Sequence, residues 1–230
     1  MGMMRGVADH AGLGRANYRV HEMGGNPDAQ VGQTLGIMRE RVLEDSRDPW
    51  FVRRAVGLGL VGGSDWETCE RVWGHVKRGI RFQRDEVTGD GVGGWAKDEV
   101  VEVIIRPVDM ARYVDMGIAT GDCDDFSMYG AALLTALNVG CSFITVAADG
   151  RDPRQFSHVY VIAYPNGERL ALDASHGEYP GWETPGYGRE ELWPVRQELM
   201  TGFVGSLAAA FVAVWLWHKL GHKFGPGVLA

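Results

Sequence analysis

The stretches GDCDDFSMYGAALLTALN at 121–138 and HVYVIAYPNGERLALD at 158–173 decide the fold. In the first, Asp122 can cap a helix that begins at Cys123 and presents an apolar face of aromatic residues and leucines. The second predicts two strands joined by a tight turn, because apolar residues alternate on both sides of an Asn-Gly pair. Residues 142–148 (SFITVAA) predict a further strand. A helix followed by antiparallel strands indicates the α+β class.

The predicted hairpin also determines which side chains share a face of the sheet. If Asn166 and Gly167 form the two-residue turn, the flanking residues pair outward until Tyr160 faces Asp173. His158 lies two positions before Tyr160, so it projects from the same face. His158 and Asp173 are therefore diagonal neighbours, about 7 to 8 Å apart between backbones and within reach of each other through their polar side chains.

Cys123, His158 and Asp173 together have the chemistry of a thiol active site. At a helix start, Cys123 meets the positive end of the helix dipole, which favours the thiolate. His158 can act as general base, and Asp173 can accept the second N–H of the imidazole and fix its tautomer. Three carboxylates adjoin the cysteine: Asp122, Asp124 and Asp125. They oppose a thiolate, so we interpret them as helix-capping groups and not as reacting acids.

A structural role is the ordinary explanation for any one of these residues alone, and we predict that Cys69 and Cys141 are small buried hydrophobes. A nucleophile at a helix start, with a base and an orienting group on one hairpin face, favours catalysis at Cys123. Three cysteines without CxxC or Cys/His ligand spacing argue against a disulfide scaffold and a zinc site.

Composition excludes several other functions. The 230-residue chain has a formal charge of −7, and its longest basic run is Arg53-Arg54, so nucleic-acid binding is not expected. The glycine-rich segment 89–95 (GDGVGGW) fits no phosphate-binding register and is predicted to be a surface loop. The sequence contains no DxDxDG pattern of the kind that binds calcium. We therefore expect neither a cofactor nor a metal.

The rest of the chain suggests a domain with flanking segments. Residues 1–27 lack periodicity and predict a flexible leader outside the fold, without the apolar core of a Sec-type signal. Helical spacing over 28–60, interrupted at Asp48-Pro49, predicts two helices. A third is expected from Ser64, the start of a capping-box pattern, to about Lys77. The predicted catalytic domain spans 28–198, with helices ahead of the cysteine-bearing helix.

A separate prediction concerns the C-terminal end of the sequence. Residues 199–217, from Leu199 to Trp217, contain no charged side chain. This segment is long enough to span a bilayer, which needs roughly 20 apolar residues. Two tryptophans and two lysines at their end favour a membrane anchor over 199–220, followed by a short tail at 221–230. A buried core helix is the alternative, and the flanking charges do not determine an orientation.

The strings GDCDDFSMYGAALLTALNVGCSFITV and FSHVYVIAYPNGERLALDAS resemble the core motif of the transglutaminase-like superfamily. Further strings (IRFQRDEVTGDG, VIIRPVDM and PGWETP) resemble prokaryotic and bacteriophage-encoded members, so the likeness covers about 34–185. The resemblance implies a papain-like fold in which the nucleophile, base and orienting acid are Cys123, His158 and Asp173. Ala174 and Tyr160 depart mildly from the family pattern, where proline and tryptophan are common.

By this resemblance the protein is expected to be a cysteine hydrolase, a peptidase or amidase, that cleaves an amide or isopeptide bond of a protein or peptide through an acyl-thioester. One alternative is a protein cross-linking transamidase, whose dry acyl-enzyme pocket Trp95, Trp182 or Trp193 would help to enclose. Another is a non-catalytic structural or virion-assembly protein. The resemblance implies a bacterial cell or a virus particle as location, with membrane contact through 199–217. The substrate and the second oxyanion donor are not predicted.

Overall fold

The protein has an α+β fold, described here by a computed structural model over residues 4–9, 15–22, 24–84 and 101–196. The helices are α1 (Pro27–Asp45), α2 (Pro49–Gly57), α3 (Asp65–Gly79), α4 (Pro107–Met116) and α5 (Cys123–Ala136). The strands are β1 (Met4–Asp9), β2 (Arg15–Glu22), β3 (Arg81–Phe82), β4 (Val101–Ile104), β5 (Thr120–Gly121), β6 (Cys141–Val146), β7 (His158–Ala163), β8 (Leu170–Leu172) and β9 (Glu190–Pro194). The described residues up to Val195 belong to one compact unit.

The helices predicted ahead of the cysteine are confirmed, and side chains fix their starts. Asp48 caps α2 by accepting hydrogen bonds from the N–H groups of Trp50 and Phe51. Ser64 caps α3, as predicted. The reciprocal bond of the capping box is displaced by one residue, because Glu67 accepts from the N–H of Gly63 and not from that of the cap.

The four-stranded antiparallel sheet has the order β8-β7-β6-β9. The β7–β8 hairpin has the predicted register, with Val161 opposite Leu172. Asn166 and Gly167 have φ of 52° and 85°. Two successive positive φ values are the signature of the turn that follows the right-handed twist of a hairpin, which explains why Asn-Gly set the register correctly.

Strand β9 was not predicted from the sequence. It pairs antiparallel with β6 and forms the second edge of the sheet, and the indole N–H of Trp193 donates to Thr145 Oγ1 at 3.2 Å. The strand EELWP is short, begins with two glutamates and ends with proline. These are features of an edge strand, and they hide the period-2 pattern on which the prediction depended.

The prediction that residues 1–27 lie outside the fold is wrong for two segments. Strand β2 pairs antiparallel with both β1 and β4, giving a second sheet of order β1-β2-β4. The sequence RANYRVHE of β2 does alternate between polar and less polar residues, but the glycines and charges around it obscured the pattern. The start of α1 is also anchored, since Asn26 caps it through the N–H of Ala29.

Helix α5 lies at the centre of the core and contacts α1, α2, α3, α4 and β7. Every residue from Asp124 to Thr135 is buried, so the helix is enclosed on all sides. A helix in this position has little freedom to rotate or shift, because interiors are close-packed. The packing therefore fixes the position of Cys123, the first residue of α5.

Among the described residues, no helix combines the length and the apolar character that a membrane crossing requires. The anchor predicted at 199–217 lies outside the described residues, as do the loop predicted at 89–95 and Trp95. Those three predictions stay predictions.

Candidate active site

His158 and Asp173 form a buried pair on the four-stranded sheet. The Nε2 atom of His158 lies 2.8 Å from Oδ2 of Asp173, and both side chains are almost completely shielded from solvent. His158 is the first residue of β7, and Asp173 directly follows β8. The diagonal placement inferred from the hairpin register is therefore the observed one.

Asp173 is held by donors at both carboxylate oxygens. Thr184 Oγ1 donates to Oδ2 at 2.6 Å, while Ser175 Oγ and the N–H of His176 each donate to Oδ1 at 3.0 Å. Burial alone would raise the pKa of Asp173, but the bond and charge of His158, with the donors Thr184 and His176, hold the pKa well below its usual range. Asp173 is thus an oriented carboxylate.

The backbone of Asp173 is fixed as firmly as its side chain. The indole N–H of Trp73 in α3 donates to its carbonyl oxygen at 3.1 Å, and the N–H of Gly177 donates to the same oxygen at 2.9 Å. A Cβ added at Gly177 would overlap that carbonyl. Only glycine fits this close approach, so the turn after β8 depends on it.

Cys123 lies at the N-terminus of α5 and is partly accessible. It lines a cleft of about 240 Å³ together with His158. Asp122 caps the helix through the N–H of Asp124, as predicted. The structure thus places the predicted nucleophile and base on the wall of one cleft, with the predicted orienting acid behind the base.

Ser127 joins the cysteine-bearing turn to the histidine-bearing strand. Its hydroxyl lies 2.6 Å from the carbonyl oxygen of Cys123 and 3.1 Å from that of Val159, the residue after His158. The serine lies one helical turn after the cysteine, so its side chain can reach both carbonyls. This contact sets the spacing between α5 and β7 next to the candidate nucleophile and base.

The carboxylates beside the cysteine do act as backbone acceptors, in agreement with their interpretation as caps. Asp124 Oδ1 accepts from the N–H of Asp125 at 2.9 Å, and Asp125 Oδ1 accepts from the N–H of Ile105 at 3.2 Å. Both side chains are buried. A Cβ at Gly121 would collide with the side chain of Asp125, so the glycine of the GDCDD string leaves room for a buried acid.

Aromatic rings enclose the imidazole of His158. Tyr160 stacks against it with centroids 5.7 Å apart, and the exposed ring of His176 meets it edge-on at 4.5 Å. Burial, followed by the nearby charge of His158, lowers the pKa of His176. Phe82 makes an edge contact with His176 on the outer side. The imidazole and the carboxylate are almost completely shielded from solvent, which strengthens the hydrogen bond between them.

Two sets of described side chains bring three potential metal ligands within 4.8 Å of one another. They are His158, Asp173 and His176, and Asp122, Asp124 and Asp125. In the first set an ion would have to displace the histidine–aspartate hydrogen bond. In the second it would compete with backbone N–H groups for the capping oxygens. Neither set matches the closed Cys/His ligand pattern of structural zinc.

Four supporting groups had not been singled out from the sequence: Ser127, Ser175, Thr184 and the indole of Trp73. A short polar side chain gives no periodic signal, and its partners become neighbours only after folding. The string PGWETP, quoted above for its resemblance, does contain Thr184. Trp182 and Trp193 are not among the residues that line the cleft.

No protein-family model matches the sequence, and no curated protein matches it. Among solved structures, a Cytophaga hutchinsonii protein described as a "putative cysteine protease" aligns with a TM-score of 0.40 and 14% identity. The alignment covers 77% of this chain and 61% of the other chain.

Proposed function

We propose that the protein is a transglutaminase-like cysteine hydrolase that cleaves an amide or isopeptide bond of a peptide or protein. The observation that carries this proposal is the buried 2.8 Å bond between His158 and Asp173 on the wall of the cleft that Cys123 also lines. A buried carboxylate that fixes a histidine next to an accessible thiol is the arrangement that thiol catalysis needs.

The contacts suggest how each group acts. Asp173 occupies Nε2 of His158, which leaves Nδ1 to take the proton of the Cys123 thiol. The thiolate attacks the substrate carbonyl, and the imidazolium returns the proton to the leaving amine as the C–N bond breaks. A water then gives a proton to the same nitrogen and attacks the thioester, which releases the acid and restores the thiol.

We propose hydrolysis ahead of transamidation because water is the default acceptor of an acyl-enzyme. A transamidase has to keep water from its acyl-enzyme. Of the tryptophans considered for that purpose, Trp182 and Trp193 are not among the lining residues, and Trp95 lies outside the described residues. The indole N–H of Trp193 instead donates to Thr145. The discriminating measurement is acceptor dependence, because a hydrolase releases acid at a rate that added primary amines do not increase.

The test is alkylation of the 230-residue chain by iodoacetamide from about pH 5 to 9, with the modified residue identified by mass spectrometry. We expect Cys123 to react near neutral pH faster than a free thiol, and His158→Ala to slow it by about 10-fold to 100-fold. Cys69 provides an internal control, because burial raises the pKa of its thiol to about 12 and keeps it unreactive. Cys123→Ala should abolish the fast reaction.

Alkylation of Cys123 no faster than that of a free thiol, and unchanged in His158→Ala, would contradict an active thiol. It would favour the alternative that the chain is a structural or assembly protein that retains the fold. Circular dichroism of both variants would show that the comparison is made on folded protein.

A further inference from the structure

Most of the accessible surface of the cleft beside Cys123 is apolar, although Thr34, Thr145 and Ser157 also line it. Its apolar lining side chains are Val31, Leu35, Met38, Phe156 and Val159. Leu35, Met38, Phe156 and Val159 are buried, so they already have fixed positions before any ligand binds. A preformed apolar surface next to a reactive group is the usual form of a subsite for an apolar substituent.

One helix supplies most of this wall. Val31, Leu35 and Met38 follow one another at spacings of four and three, which places them on one face of α1. The cap at Asn26 and the packing of α1 against α5 hold that face in front of Cys123. The cleft is therefore bounded by a helix that is separate in sequence from the candidate catalytic residues.

The charges of the cleft select against acidic groups. Asp122 and Asp124 line it, and none of its described lining residues is lysine or arginine. A substrate carboxylate placed there would meet two like charges in a partly water-excluded space, with no lysine or arginine among the described lining residues to offset them. Both aspartates accept a backbone hydrogen bond at the helix start and keep their charge, so a basic group would be attracted to them but would lose hydration against the apolar lining. The lysine probe described below measures which of these two effects is larger.

The size of the cleft limits what can enter. Its volume is about 240 Å³. This is below the roughly 300 to 1,000 Å³ of pockets that enclose drug-sized ligands. The space accommodates the amide at the thiol and one side chain of moderate size.

We infer that the cleft between α1 and Cys123 is a specificity subsite for an uncharged, medium-sized aliphatic side chain next to the amide bond that is cleaved. The inference rests on the proposed function and names its substrate class: peptides or amides with a leucine-like residue at that position. Val31, at the accessible end of the wall, is the residue that most directly determines this preference.

The test uses small alkylating probes that carry one side chain each. The 230-residue chain is reacted separately with N-chloroacetyl leucinamide, with its glutamate and lysine counterparts, and with plain chloroacetamide. In each case the thiolate displaces chloride, and intact mass gives the rate constant at Cys123. Each rate constant is divided by that of chloroacetamide. We expect the resulting ratio to be at least about 10-fold higher for the leucine probe than for the glutamate probe, and also higher than for the lysine probe.

Two matched variants connect the preference to α1. Val31→Asp should reduce the leucine-to-chloroacetamide rate ratio by about 10-fold. Gly36→Asp adds the same charge to the same helix at an exposed position that does not line the cleft, where a Cβ meets nothing within 4 Å. This control should leave the ratio unchanged.

The outcomes separate the two proposals. Equal relative rates for all probes, a fastest reaction with the lysine probe, or an unchanged ratio in Val31→Asp would overturn the subsite while leaving an active thiol in place. Failure of plain chloroacetamide to alkylate Cys123 faster than a free thiol would overturn the proposed function itself, and the subsite with it.

Discussion

Thr184 Oγ1 lies 2.6 Å from Oδ2 of Asp173, the oxygen that also binds the imidazole of His158. Thr184 lies in the loop after β8, so a residue outside the sheet completes the environment of the carboxylate. Two donors at one oxygen hold the carboxylate in a single rotamer and keep it ionised. The orientation of His158 therefore depends on Thr184 as well as on Asp173.

Thr184→Val should remove this donor with little change in shape. Because a hydrogen bond to a charged group contributes about 1.5 to 3 kcal/mol, we expect a loss of about 1 to 2 kcal/mol in the free energy of unfolding. We also expect about 5-fold slower alkylation of Cys123 at pH 7. Urea denaturation and iodoacetamide kinetics measure the two effects. Thr184→Ser keeps the hydroxyl and should retain most of the unfolding free energy and most of the alkylation rate. Equal losses in Thr184→Val and Thr184→Ser would contradict the role of this hydroxyl.

Asp173→Asn should destabilise the protein in a pH-dependent manner. The pKa of Asp173 is lower in the folded state than its usual value, so its contribution is fully present above pH of about 4 and declines as pH falls toward the folded-state pKa. Removing the buried carboxylate weakens charge-assisted hydrogen bonds, each of which contributes about 1.5 to 3 kcal/mol. We expect a loss of that size at pH 7 that narrows below pH 4. Urea titrations at several pH values measure it, and a loss that does not vary with pH would contradict the ionised carboxylate.

Ser127→Ala should separate positioning from folding. The change removes the hydroxyl that contacts the carbonyls of Cys123 and Val159 but keeps a good helix former in α5. We expect Cys123 to react about 3-fold to 10-fold more slowly with iodoacetamide, with less than about 1.5 kcal/mol lost in unfolding free energy. Ser142→Ala, at another buried serine in β6, is the matched control and should leave the alkylation rate unchanged.

His75 should make the protein acid-sensitive at a location away from the candidate site. Burial, followed by the charge of Arg54, lowers the pKa of His75 to about 4, and its Nε2 lies 3.0 Å from the hydroxyl of Tyr129. The unfolded chain takes up this proton near pH 6.5, whereas the folded protein does so near pH 4, so stability is lost as pH falls between these values.

Allowing for partial solvent screening, we expect this loss to be about 1 to 2 kcal/mol. His75→Gln should flatten the decline in unfolding free energy between pH 6.5 and 4, as measured by urea denaturation. A decline as steep in the variant as in the wild type would assign the acid sensitivity to other groups.

The features that were predicted correctly are those determined by neighbours in the sequence. The Asn166-Gly167 turn sets the β7–β8 register through its own backbone angles, and the register alone places His158 diagonal to Asp173. Asp122 caps α5 through a residue two positions away. In such cases a short string contains all the groups that interact, so its physical chemistry can be read directly.

The features that were missed depend on distant parts of the chain. Strand β9 is recognisable only by its pairing with β6, and β2 only by its pairing with β1 and β4. The bond from Trp73 to Asp173 joins residues 100 positions apart. Such contacts form because burial brings the elements together, and no local pattern specifies them.

The hairpin described above has a consequence for the order in which the protein acquires reactivity. His158 and Asp173 are only 15 positions apart, so β7 and β8 can pair early at a small loop-closure cost, whereas α5 has to dock from outside the hairpin. We expect pulsed alkylation during refolding to modify Cys123 at the rate of a free thiol until α5 docks. A nascent or partly unfolded chain would then lack the activated thiol. Catalytic activity would therefore appear only when folding is complete.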